Sequence, residues 1–241
     1  MVGKSFSDNV VYEIKKTDLK SPIIFAGFVG AGLVGPLSVG YMIEKLKMEE
    51  IGYLRSKHLP PSTVFMQGRL RHPFRLYANK EGTVCAIICE ITLPFGLHDI
   101  VNTILDWAEK NGSHEIVILD GVASKTHDSK AFCAAEEDLC RVMESNDINM
   151  IPQGFITGVA GGLLNECLMR PIQGITLLVK ANDKGADPLA AATLIDAVNR
   201  AYGLNINTSD LRKKKKQIGV DFKELSDKYT EHKKIDSNMY M

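Results

Sequence analysis

The chain has 241 residues, 45% of them hydrophobic, with 29 basic and 29 acidic side chains and a formal net charge of zero. That length fits one large α/β domain or two small ones and can bury a sizeable core. The neutral balance argues against a nucleic-acid or membrane-surface protein, and no apolar run is long enough to span a bilayer.

The N-terminal MVGKSFSDNVVYEIKK lacks the apolar centre of a secretory signal. The five cysteines are odd in number and show no paired CxxC knuckles, so reduced buried thiols in a cytoplasmic protein are expected, with no metal or cofactor.

Val10 to Lys15 reads as a first strand, and Ile23 to Ala26 as a buried one that runs into Gly27-Phe28-Val29-Gly30-Ala31-Gly32-Leu33-Val34-Gly35. Pro36 to Lys47 continues as an amphipathic helix, with Leu37, Tyr41 and Leu46 facing inward. Glu50 to His58 is strand-like. After Pro60-Pro61, Val64 to Leu70 and Phe74 to Ala78 read as two short strands about a turn. Thr83 to Thr92 is a near-continuous apolar run of the kind that suits a strand covered on both faces.

His98 to Lys110 is predicted helical and ends at Asn111-Gly112. A strand follows from Glu115 to Gly121, then a loop with Lys125, His127 and Asp128. A weak strand is expected near Ala131 to Ala134, a helix from Glu136 to Ser145, and a short strand near Met150. Gly158 to Gly162 opens a further helix through Met169, and Gly174 to Lys180 is a strand. Asp187-Pro188 then starts a helix that stops at Gly203, with Asp at the cap and Pro just inside. The alternation predicts an α/β fold: a mixed, largely parallel sheet with helices on both faces.

Past Ser209 the pattern changes. Leu211, Ile218, Phe222, Leu225 and Tyr229 form a helical apolar stripe that could pack on the chain's own core or zip against another subunit. Arg212 to Lys216 is a basic run set among Asp210, Asp221, Glu224, Asp227 and Glu231, which suits a solvated helix face or an acidic protein partner. The polar stretch TEHKKIDSN then reads as a tether that ends in Met239-Tyr240-Met241. Such an ending offers an apolar side chain, a phenol and a terminal carboxylate to a pocket with a basic base and an apolar wall. The expected organisation is an α/β domain over 1–208, an amphipathic helix over 209–232 and a tail over 233–241.

The stretch Gly30 to Gly35 satisfies a dinucleotide glycine pattern after a strand, yet Glu49 and Glu50 precede the next strand where an acid should end it. A close strand–helix crossing explains the same glycines. Gly161-Gly162 is not followed by the Lys-Ser/Thr pair of a nucleoside-triphosphate loop, so tight packing is expected there too. Asp120 ends a strand, where open sheets place ligands, and a hydrolase built from Asp120, His127 and Cys133 is conceivable, but no G-x-S-x-G elbow supports it. His98-Asp99 reads as a helix cap.

In order along the chain, FAGFVGAGLVG, VILDGV, FITGVAGGLLNE, GITLLVKAN and DPLAAATLIDAVNRAYGLNINTSDL resemble the proteasome assembly chaperone family, specifically its archaeal members. The resemblance implies an α/β core similar to nucleoside phosphorylases and no established catalytic residues. It also implies association into homo-oligomers and binding to proteasome α subunits in the outer ring of the core particle. The hydrophobic-Tyr-x ending of such proteins is thought to enter pockets between α subunits, and here that role falls on Met239, Tyr240 and Met241. The leading expectation is thus a non-enzymatic assembly chaperone or ATP-independent core-particle binder. The alternative is an α/β enzyme or nucleotide-binding protein using the strand-end cleft near Asp120.

Overall fold

The computed structural model describes residues 9–66, 68–125, 130–182 and 185–213. The strands are β1 (Asn9–Glu13), β2 (Ile23–Gly27), β3 (Glu49–Ser56), β4 (Val64–Met66), β5 (Arg69–Arg71), β6 (Phe74–Ala78), β7 (Val84–Cys89), β8 (Glu115–Ala123), β9 (Ala131–Ala135), β10 (Asn149–Met150) and β11 (Gln173–Ala181). The helices are α1 (Val34–Lys45), α2 (Leu97–Lys110), α3 (Glu137–Glu144), α4 (Gly158–Cys167), α5 (Pro188–Tyr202) and α6 (Ser209–Lys213), with a short 3-10 turn at Ala31–Leu33 ahead of α1.

Nine strands form one mixed sheet in the order β1-β3-β6-β7-β2-β8-β11-β9-β10. Its centre, β7-β2-β8-β11, is parallel throughout, and β6 and β9 flank it antiparallel. β3 runs antiparallel to β6, so β3, β7, β2, β8 and β11 all point the same way. Their C-terminal ends make one edge of the sheet.

Strand residues alternate between two apolar layers, as a period of two requires. Phe25, Val117, Leu119, Ile175 and Leu177 face α1, α3, α5 and α6. Ile24, Ala26, Ile116, Ile118 and Ile87 face α2 and α4. Helices on both faces explain the continuous apolar run in β7, whose residues from Cys85 to Cys89 are all buried. In α2 the buried side chains Ile100, Val101, Ile104, Leu105, Trp107 and Ala108 recur at steps of three and four. α5 is held at its start by the Asp187 carboxylate, which accepts from the Ala190 amide at 3.0 Å, and ends on Gly203 in a left-handed conformation.

Two sequence expectations change. Val64 to Leu70 is a hairpin of its own, β4 paired antiparallel with β5, because Gly68 takes φ +75° and turns the chain. The first helix starts at Val34, before Pro36, after a kink at Leu33, whose φ is +50°. Pro36 is therefore the third helical residue, still within the first turn where its missing N–H is harmless.

Candidate functional site

Two places compete: the strand-end edge around Asp120, and the root of the C-terminal tail.

At the first, the chain fills its own cleft. α1 crosses β2 so closely that a Cβ on Gly27 would sit 2.3 Å from the Gly35 carbonyl oxygen. A Cβ on Gly30 would lie 2.4 Å from Asp120 Oδ1, so Gly30 leaves room for that carboxylate. The Gly32 carbonyl accepts from the Asp187 amide at 2.8 Å, which ties the glycine turn to the start of α5. The glycines that match a dinucleotide pattern thus serve strand–helix packing.

Asp120 is mostly buried, and its Oδ1 accepts from the Gly121 amide at 2.7 Å. Burial raises its carboxyl above the usual range, and the Gly121 amide works against that rise. Cys133 is no partner for it. Cys133 and Leu119 both pair with Leu177 of β11 and share the α1–α5 layer. Asp120, the next residue after Leu119, therefore points to the opposite face. The Cys133 thiol is buried beside Cys140 at 3.9 Å between sulfurs, and burial pushes it up to about 12. His127 and Asp128 lie outside the described residues.

The other sequence candidates also resolve into packing. Gly162 faces α2, where a Cβ would meet Val101 Cγ2 at 2.9 Å. Asp99 sits in the first turn of α2, but it binds His58 Nε2 at 3.0 Å, while its neighbour His98 meets Asn102. Sequence reasoning missed one buried polar group. Arg75 and Glu90 form an ion pair at 2.6 Å with side chains only 4% and 6% exposed. Arg75 also donates to Tyr77 Oη at 2.8 Å and to the His72 carbonyl at 2.7 Å. The only signal was an arginine inside the apolar run Phe74-Arg75-Leu76.

The tail root is tied to the body from two helices. Thr208 Oγ1 donates to Asp196 of α5 at 2.9 Å, and Arg212 pairs with the same carboxylate. From α1, Lys45 Nζ bonds Asp210 at 2.8 Å and Tyr41 Oη donates to the Asn207 carbonyl at 2.7 Å. Leu211, first residue of the apolar stripe, is 2% exposed and packs in the chain's own core. Ile218, Phe222, Leu225, Tyr229, Lys214 to Lys216 and the terminal Met239, Tyr240 and Met241 lie outside the described residues. An open depression of about 390 Å³ lies beside the root, lined by Asn199, Arg200 and residues 204–207. Asn199 is already bonded to both backbone groups of Ile206, and Arg200 to the Asn146 and Asp147 carbonyls.

A family model described as PAC2 matches residues 24–226, most of the chain and all the landmark segments from FAGFVGAGLVG to TSDL. The chain belongs to the PAC2 family. A protein of unknown function from Thermoplasma acidophilum superposes with a TM-score of 0.85 and 33% identity over 91% of both chains. PbaA of Pyrococcus furiosus, described as an archaeal homolog of proteasome-assembly chaperone, superposes with a TM-score of 0.80 and 25% identity, covering 92% of this chain and 99% of its own. An uncharacterized protein of Methanocaldococcus jannaschii is 26% identical over 218 residues, 90% of each chain. The mixed α/β body is thus the PAC2 architecture. Among its described residues, no helix is long and apolar enough to cross a membrane.

Proposed function

We propose that this PAC2 protein is a non-enzymatic proteasome-binding protein, an assembly chaperone or ATP-independent core-particle binder that docks its C-terminus on the α ring. The observation that carries the reading is the likeness to PbaA across nearly the whole of both chains, joined to a hydrophobic-Tyr-x ending. The anchored root supports it: Asp196, Lys45 and Tyr41 fix where the tail leaves the body. In the docked state the Tyr240 ring is buried and its hydroxyl bonded, and the Met241 carboxylate meets a basic group at the pocket base. Self-association places several such termini on one particle, and linking weak sites raises overall affinity by roughly two to four orders of magnitude.

The test is capture of isolated α ring and mature core particle by the full chain and by a 1–238 truncation. Binding that disappears with the last three residues supports docking through the terminus. Equal binding moves the contact to the α/β body. Failure of both forms sends attention to the strand ends, where nucleotide binding lost on Asp120→Asn would favour the enzyme reading.

A further inference from the structure

The edge of the sheet opposite the tail root carries an apolar rim. The hairpin β4–β5 projects beyond the end of β3, with Phe65 62% and Leu70 73% exposed and directly paired across its strands. Phe95, 72% exposed, lies in the loop that precedes α2, and its neighbour Gly96 packs against His58 just past β3. Phe155, fully exposed, precedes α4, which lies alongside α2 through Gly162 and Val101 and through Arg170 with Asp106 and Glu109. Both helices lead into strands of the same direction, so both loops sit at the C-terminal edge with the hairpin.

We infer that this rim is where a second copy of the chain binds. The inference rests on the self-association in the reading above and gives it a location. The four side chains expose on the order of 600 Å² of apolar surface, against roughly 800 Å² per partner in a standard interface and the 300–600 Å² of a typical monomer's largest patch. A two-stranded hairpin is marginal in water on its own, and no third strand joins this one among the described residues. A copy related by a two-fold axis brings the same hairpin edge and the same Phe65–Leu70 pair, each completing the other. Arg71 at the hairpin base lies 3.6 Å from Glu50, which offsets one of the two arginines of β5, while the other, Arg69, is exposed.

The chain's own tail is the less suitable occupant. α5 runs from the rim edge to the far edge, where Tyr202 bonds Glu115 at the start of β8. α6 then packs beside the last residue of α1, Lys45. The last described residues, Ser209–Lys213, therefore lie at the end of the molecule away from the rim.

The experiment is native mass spectrometry and sedimentation equilibrium on the full chain at micromolar concentration, with no proteasome present. Three proteins are compared: the natural chain, Phe65→Ser/Leu70→Ser and Phe95→Ser/Phe155→Ser. All four positions are exposed, and circular dichroism confirms that each variant folds. The natural chain is expected as an oligomer, and both variants as the 26.6 kDa monomer or with a dissociation constant raised at least tenfold. A monomeric natural chain overturns the inference. So do rim variants of unchanged mass, all the more where Phe222→Ser/Leu225→Ser separates the copies instead. Because the readout is mass alone, tail docking and rim association stand or fall separately.

Discussion

The Arg75 guanidinium and the Glu90 carboxylate lie 2.6 Å apart, both almost wholly removed from water. Arg75 is the second residue of β6 and Glu90 follows the last residue of β7, so the pair closes the antiparallel ladder beside the hairpin. Removing one partner leaves a buried charge, which typically costs about 3–5 kcal/mol. Glu90→Ala should lower the midpoint of thermal unfolding by at least 6 °C, at roughly 2–4 °C per kcal/mol for a domain of this size. The double variant Arg75→Met/Glu90→Leu should recover most of that loss, and a double variant no better than the single one would count against a desolvated pair.

Two glycines thirteen residues apart, one at a crossing and one on a helix, should respond in opposite directions. A Cβ on Gly27 meets the Gly35 carbonyl, which is backbone and cannot step aside. Gly27→Ala should cost about 3 kcal/mol or abolish soluble expression. Gly40 lies within α1, where a Cβ would find only Ile88 Cδ1 at 3.6 Å, an ordinary contact. Gly40→Ala should stabilise by about 0.5–1 kcal/mol through helix propensity. Denaturant midpoints of the two variants measure both.

Asp120 gives a pH signature. Its folded carboxyl titrates above its unfolded value because burial disfavours the charge. The favourable protonated form is complete below the unfolded value, and its contribution is lost as pH rises through the folded one. Asp120→Asn should therefore be more stable than the natural chain at pH 7, with the gap closing toward pH 3. A variant less stable than the natural chain at pH 7 would show that the carboxylate has a favourable charged role at the strand ends.

The thiols should be silent in the native protein. All five cysteines are buried, and burial pushes Cys85, Cys89 and Cys133 up to about 12 and Cys167 to about 11. Reaction needs thiolate and access. Ellman's reagent at pH 7 should release no colour within minutes from the folded chain and five equivalents per chain in denaturant. Fast reaction of one thiol before unfolding would reveal local opening there.

Leu211 tests the root. Its side chain is core although it lies eight residues past Gly203, where α5 stops. Leu211→Ala should cost about 2–5 kcal/mol by cavity formation. A surface residue of a free-standing helix would cost far less, so chemical denaturation of this one variant distinguishes an anchored root from a loose one.

Much of the body was legible because its signals are local. Apolar runs marked β2, β7, β8 and β11, and the Asp187-Pro188 start and Gly203 stop framed α5. The packing role of the glycines was legible from a missing acid. What escaped was set by distant partners. Nothing near Arg75 announces Glu90 fifteen residues on, and nothing in His98-Asp99 announces that Asp99 takes His58 from 41 residues away. Val64 to Leu70 looked like one strand because its side chains suit a strand, and only the backbone at Gly68 breaks it. Leu211 shared its spacing with the stripe beyond it, and periodicity alone does not say which partner a stripe covers.

A protein whose native thiols are all buried offers a clean chemical background for thiol chemistry. A single cysteine introduced near the terminus, as in Ser237→Cys, would be the one position to take a maleimide fluorophore or spin label without first deleting five others. The number of reporters per particle, and the distances between them with and without the α ring, would then count the tails and show where they go.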